Sequence, residues 1–124
     1  MMNPYLQVAV GAAIGGMCRL AFYRSLPAQW VAMGGATLVV NVIGSFVMGL
    51  GFALVVQRLG QDFAPFLLAG VLGGFTTFSS FSLDVVAMWE RGESVAAMVY
   101  IAASVVLSIL ALIAGLAVAR SVLA

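Results

Sequence analysis

Five hydroxyl side chains, Thr76, Thr77, Ser79, Ser80 and Ser82, fall within seven residues. Phe78 and Phe81 stand among them, and Gly73 and Gly74 come just before. Glycine is a weak helix former, and neighbouring Ser and Thr compete with the backbone for its hydrogen bonds, so a helix running through this stretch is most easily broken here. A break frees amides and carbonyls. With the hydroxyls and the positive edges of two phenyl rings, the amides suit a small, hard anion. The carbonyls suit a hard cation, which takes oxygen ligands. If the helix continues, Thr77, Ser80 and Asp84 share one stripe, with Phe78 and Phe81 on the adjoining one.

Other polar residues in apolar surroundings extend the set. Asn41 brings an amide donor into the middle of an apolar run; it serves either as glue between helices or as part of the same site. Arg19 is a fixed positive charge that either reaches for lipid headgroups or makes an electropositive entrance for anions. Asp84 either pairs with an arginine or faces a wet opening. Tyr100, Ser104 and Ser108 recur every four residues, so they share a helix face that packs or extends a polar track. The chain offers no nucleophile–base pair, carboxylate pair, phosphate loop or histidine. It is therefore expected not to be an enzyme.

Composition dictates where these groups sit. Of 124 residues, 65% are hydrophobic and 7% charged, and the net charge is +1. The mean hydropathy is +1.21. A soluble domain carries about 25% charged residues, so this chain cannot cover a water-facing surface and belongs in the lipid bilayer. Nucleic acid is excluded as a partner, because phosphate contacts need clustered cations. The single cysteine, Cys18, closes no internal disulfide, and no Cys/His set has metal-ligand spacing.

A span takes roughly 20 residues. Four are expected, at about 4–23, 34–56, 63–89 and 95–119, forming one all-α transmembrane domain with the third helix broken near its centre. The first is read as a retained span, since no small-residue cleavage site follows it. Residues 25–30 read as a short loop anchored by Trp30. Small-xxx-small pairs at Gly11/Gly15, Ser45/Gly49 and Gly70/Gly74 are expected helix contact faces, dimer contacts included. Arg58 and Arg120 fall on one side of this topology and Arg24 and Arg91 on the other. The positive-inside rule therefore sets no orientation, which admits insertion both ways and an antiparallel dimer.

Three motifs match a known family: Gly15-Gly16-Met17-Cys18-Arg19, the run from Gly35 to Phe46 around Asn41, and Gly73-Gly74-Phe75-Thr76-Thr77-Phe78-Ser79-Ser80-Phe81-Ser82. The chain resembles CrcB/Fluc fluoride channels from end to end. The resemblance implies a multi-pass protein of the bacterial inner membrane, a dual-topology antiparallel homodimer with two pores that export fluoride passively. It implies that Phe78 and Phe81 present ring edges to the ion and that Asn41 donates nearby. Thr77, Ser79, Ser80 and Tyr100 join the polar track, with Arg19 in the entrance vestibule. It also implies a central structural Na⁺ held by the carbonyls of Gly73 and Thr76 from both subunits. Asp84 stands where many relatives are expected to carry glutamate. The alternative is a small multidrug-type cation/proton exchanger, which needs a membrane-embedded carboxylate and could use only Asp84.

Overall fold

The computed structural model describes residues 2–124. Helix α1 (Pro4–Arg24) opens with Pro4, whose missing N–H and fixed φ suit a first turn, and Asn3 caps it by accepting from the Tyr5 amide at 2.7 Å. A short helix, α2 (Ala28–Ala32), follows Pro27. The expectation of a plain loop over 25–30 is corrected here, because Pro27 pre-sets a helical entry and its carbonyl accepts from the Trp30 and Val31 amides. Gly34 (φ 79°) turns the chain into α3 (Gly35–Leu54), which a π-helical turn (Val55–Leu59) prolongs. After a 3₁₀ turn (Gln61–Phe63), a π-helical stretch (Pro65–Leu72) runs into one last α-turn, α4 (Gly73–Phe75). Thr76 and Thr77 are extended, and α5 (Phe78–Glu90) and α6 (Ser94–Leu123) complete the chain.

Four helical segments, Pro4–Arg24, Gly35–Leu59, Gln61–Glu90 and Ser94–Leu123, are long and apolar enough to cross a bilayer. The protein is therefore an all-helical, multi-pass membrane protein. The third segment changes partner along its length. Pro65–Phe75 packs on α1, whereas α5 packs on α6, and α6 lies along α3.

Small residues set both close approaches. A side chain on Gly11 would strike the backbone of Phe66 and Gly70, and one on Gly15 the backbone of Val71 and Phe75. Gly49 and Gly115 do the same for α3 and α6, through the backbone of Leu112 and Phe46. Gly11, Gly15, Gly49, Gly70 and Gly74 of the expected small-xxx-small pairs thus make close approaches inside the single chain, where lipid tails leave van der Waals packing as the main driving force, while Ser45 lines the groove described below. Gly115→Ala is expected to force α3 and α6 apart and lower stability by about 1–3 kcal/mol, the usual cost of overpacking. Thermal unfolding of purified protein in detergent measures it.

Buried side chains are few. Phe81, Met88, Ala97 and Tyr100 cluster where α5 meets α6, with Leu38 and Val85 against them. Many large apolar side chains of α6, among them Met98, Val99, Leu110 and Ile113, are exposed, as expected for helices whose surroundings are apolar.

Candidate functional site

The site is built on the two extended residues. Continuing the helix would direct the Thr77 amide onto the carbonyl four residues back, that of Gly73. Instead it donates to Asn41 Oδ1 at 2.8 Å, and Asn41 Nδ2 donates to the Thr77 carbonyl at 2.9 Å. One side chain from α3 therefore satisfies both backbone groups of Thr77 in a two-bond clamp. This matters at membrane depth, where an unpaired amide or carbonyl costs several kcal/mol and no water is at hand to replace the partner. Thr77 then caps the helix that restarts, its Oγ1 accepting from the Ser80 amide at 3.1 Å. Thr76 bonds back to Leu72 through both its amide and its hydroxyl. The stripe of Thr77, Ser80 and Asp84 expected of an unbroken helix is corrected accordingly: Thr77 lies outside the helix and caps it.

The clamp leaves two carbonyls without their helical donors. The amide due to Gly73 O goes to Asn41, and the Ser80 amide due to Thr76 O goes to the Thr77 hydroxyl. Gly73 lies exposed on the chain's surface. Two freed carbonyl oxygens three residues apart, one of them on an exposed residue, fit the oxygen-only donor set of a hard cation.

Beside the break runs a groove of about 430 Å³ between α3, the break, α5 and α6. Its wall includes Asn41, Thr76, Thr77, Phe78, Phe81 and Ser104. Phe78 is 77% exposed and Phe81 9%, and their rings lie 5.4 Å apart at 56°. In a tilted pair one ring's edge meets the other's face, and ring edges carry the positive end of the quadrupole. Ser104 is buried, and its Oγ has no hydrogen-bond partner among the described residues. A buried hydroxyl left unpaired costs roughly 1–3 kcal/mol, and this one lies in the groove wall. Four-residue spacing from Tyr100 and to Ser108 was the only signal for it in the sequence.

Ser108 also lines the groove, whereas Ser79, Ser80, Tyr100, Asp84 and Arg19 fall outside that wall. Ser79 is exposed and its hydroxyl lies 3.3 Å from Thr77 Oγ1; Ser80 contributes its amide to the cap. Tyr100 reaches the site through Phe81, ring to ring at 5.3 Å, and donates to Asp84 Oδ2 at 2.8 Å. Asp84 has no arginine partner among the described residues; a phenol holds one of its oxygens. Arg19 continues the Gly11–Gly15 stripe of α1 by one turn, and its Nε is buried without a partner among the described residues. Sequence reasoning missed Tyr23 and Thr37, whose hydroxyls bond at 2.5 Å.

Chemically, the arrangement offers hydroxyls, an amide N–H and phenyl edges to an anion, and freed carbonyls to a cation. Among the described residues no group of three or more His, Cys, Asp or Glu could hold a metal ion by side chains.

A family model described as "CrcB-like protein, Camphor Resistance (CrcB)" matches residues 6–116. A protein of Paracoccus denitrificans named "Fluoride-specific ion channel FluC" is 48% identical over 124 residues, covering all of both chains. Its namesake in Cereibacter sphaeroides (strain ATCC 17029 / ATH 2.4.9) is 46% identical over 97% of each chain. That of Chelativorans sp. is 49% identical over 98% of this chain and all of its own. These relatives bear the name of an ion channel, not of an enzyme or a drug exchanger. With a family model spanning most of its length and relatives this similar from end to end, the chain belongs to the CrcB family.

Proposed function

We propose that this protein is a fluoride-selective channel that lets F⁻ leave the bacterial cytoplasm across the inner membrane, working as an antiparallel, dual-topology homodimer with two pores. The observation that carries the reading is the clamped break, which turns a lipid-buried helix into a wall of hydroxyl, amide and phenyl-edge donors. The names of the relatives supply the ion. Fluoride is small and a strong acceptor, so in the groove it exchanges water for the Thr77 hydroxyl, the second N–H of Asn41 and the edges of Phe78 and Phe81, and beyond the groove wall for the Ser79 and Ser80 hydroxyls. Tyr100 backs Phe81. Chloride is larger and accepts more weakly, so the same donors do not offset its dehydration. Arg19 raises the local anion concentration at the entrance.

The dimer has its own argument. Phe78 and Gly73 are exposed on a single chain, and non-helical backbone at membrane depth needs protein or a watery cavity around it. The balanced Arg24/Arg91 and Arg58/Arg120 distribution is compatible with subunits inserted in opposite senses. A structural Na⁺ at the twofold fits the carbonyls of Gly73 and Thr76 from both subunits; bound there, it supplies a positive charge that offsets their dipoles and ties the two breaks together. The chain's part is to keep those carbonyls free, which Asn41 and the Thr77 hydroxyl do by taking the competing amides.

Fluoride-loaded proteoliposomes test the reading. Protein-dependent fluoride efflux is expected, and it is expected to fall several-fold after long equilibration with Na⁺ replaced on both sides by a large organic cation. Efflux indifferent to Na⁺ removes the sodium from the account, and no fluoride efflux from folded dimer removes the channel.

A further inference from the structure

Helix α3 meets the break at two points one turn apart. Asn41 takes the Thr77 amide at 2.8 Å. Gly44, three residues on and therefore on the same face of α3, is buried. The space a side chain would need there is already filled: a Cβ on Gly44 would overlap the methyl carbon of Thr76 and come within 3.3 Å of the Phe75 ring. The Thr76 methyl thus sits in a slot that glycine leaves open.

Slot and hydroxyl together select one rotamer. Thr76 Oγ1 donates to the Leu72 carbonyl at 2.9 Å, beside the Thr76 amide at 3.1 Å. The Cβ of threonine is a stereocentre with three staggered positions to fill. With Oγ1 on Leu72, Cγ2 falls at Gly44. The one rotamer that turns only hydrogen to the slot takes the hydroxyl off Leu72 and puts the methyl in its place. No rotamer keeps that bond and clears the slot.

The consequence reaches the backbone. Thr76 is extended (φ −83°, ψ 160°), and the Ser80 amide that a continuous helix would bring to its carbonyl goes to the Thr77 hydroxyl instead. A trans peptide sets the Thr76 carbonyl antiparallel to the Thr77 N–H. The aim of that carbonyl is therefore held from both ends of one peptide unit, by Asn41 on the amide and by the seat of the Thr76 side chain.

We propose that Gly44 is a positioning residue for the cation site: it admits the Thr76 methyl, and the seated side chain keeps the Thr76 carbonyl available to a hard cation. Gly44 touches no ion and acts only through Thr76. This rests on the sodium of the proposed function.

The test uses full-length protein in detergent, equilibrated with Na⁺ at graded concentrations against a large organic cation. It reads the rise in melting temperature that Na⁺ produces and the Na⁺ concentration at half effect. Gly44→Ala is expected to raise that concentration about tenfold, the scale of one off-rotamer side chain or one lost hydrogen bond. Alanine is the better helix former, so such a loss does not come from α3 itself. The double variant Gly44→Ala/Thr76→Ser moves the methyl from one residue to the other and keeps the hydroxyl on Leu72; it is expected to recover most of the Na⁺ response. A defect of packing alone lowers the melting temperature alike in both cations and leaves the half effect where it was. A wild-type half effect in Gly44→Ala, or a double variant no better than the single one, overturns the inference. If Gly44→Ala does not fold, the double variant decides: failure to fold, or a half effect still tenfold above wild type, overturns it. No Na⁺ response in wild type is a separate result, which removes sodium from the proposed function and this inference with it.

Discussion

Asn41→Ala is expected to lower fluoride efflux by more than an order of magnitude and to weaken the fold as well. The substitution removes both bonds of the clamp, at 2.8 and 2.9 Å, and leaves the Thr77 amide and carbonyl without partners. Each buried orphan costs roughly 1–3 kcal/mol, so a loss of about 2–4 kcal/mol is expected after local relaxation. The chain's simplest escape is to return the Thr77 amide to the Gly73 carbonyl and close the helix. That removes the extended step which turns Phe78 and Phe81 to the groove, and it takes a carbonyl away from the cation. Thermal unfolding gives the energy, and hydrogen exchange at the Thr77 amide reports the opened clamp. Wild-type efflux with an unprotected Thr77 amide would show that the clamp is not needed for conduction.

Phe81→Ile is expected to separate conduction from stability. Isoleucine fills much of the same volume, and a near-isosteric apolar exchange at a buried site usually costs less than about 1.5 kcal/mol. What it cannot supply is a ring edge. The contacts at 5.4 Å to Phe78 and 5.3 Å to Tyr100 lose their electrostatic component, and the ion loses its C–H partners. Aromatic-edge contacts are worth around 0.5–1.5 kcal/mol apiece, so efflux is expected to fall roughly tenfold when the loss acts at the barrier. Phe78→Ile makes the sharper companion, because Phe78 is 77% exposed in the chain. It should barely move chain stability and still reduce flux. Unchanged efflux in both variants would assign the rings to packing.

These outcomes also mark what could be read from the chain. Hydropathy reveals the spans because a residue cannot be charged and lipid-facing without a large cost; α1, α3 and α6 needed no tertiary information. The polar stretch from Thr76 to Ser82 stands out for the same reason. The partners of these polar groups were not legible, since they depend on which turns of different helices meet. Asn41 reads as an isolated amide, yet its position 36 residues before Thr77 makes it a backbone clamp. Asp84 shows only as a charge in an apolar run, and its phenol partner comes from another helix. The glycine pairs are visible as close-approach faces, but nothing local distinguishes a helix of the same chain from one of a second subunit. The π-helical stretches on either side of the second connection have no signature beyond ordinary apolar sequence, because one inserted residue per turn leaves composition unchanged.

The most direct measurement of the central claim is anion efflux from proteoliposomes loaded with fluoride or with chloride, wild type beside Phe81→Ile. The account predicts rapid fluoride efflux, chloride efflux no faster than from protein-free vesicles, and fluoride efflux roughly tenfold slower in the variant. Comparable fluoride and chloride rates, or no fluoride efflux from well-folded protein, would contradict it.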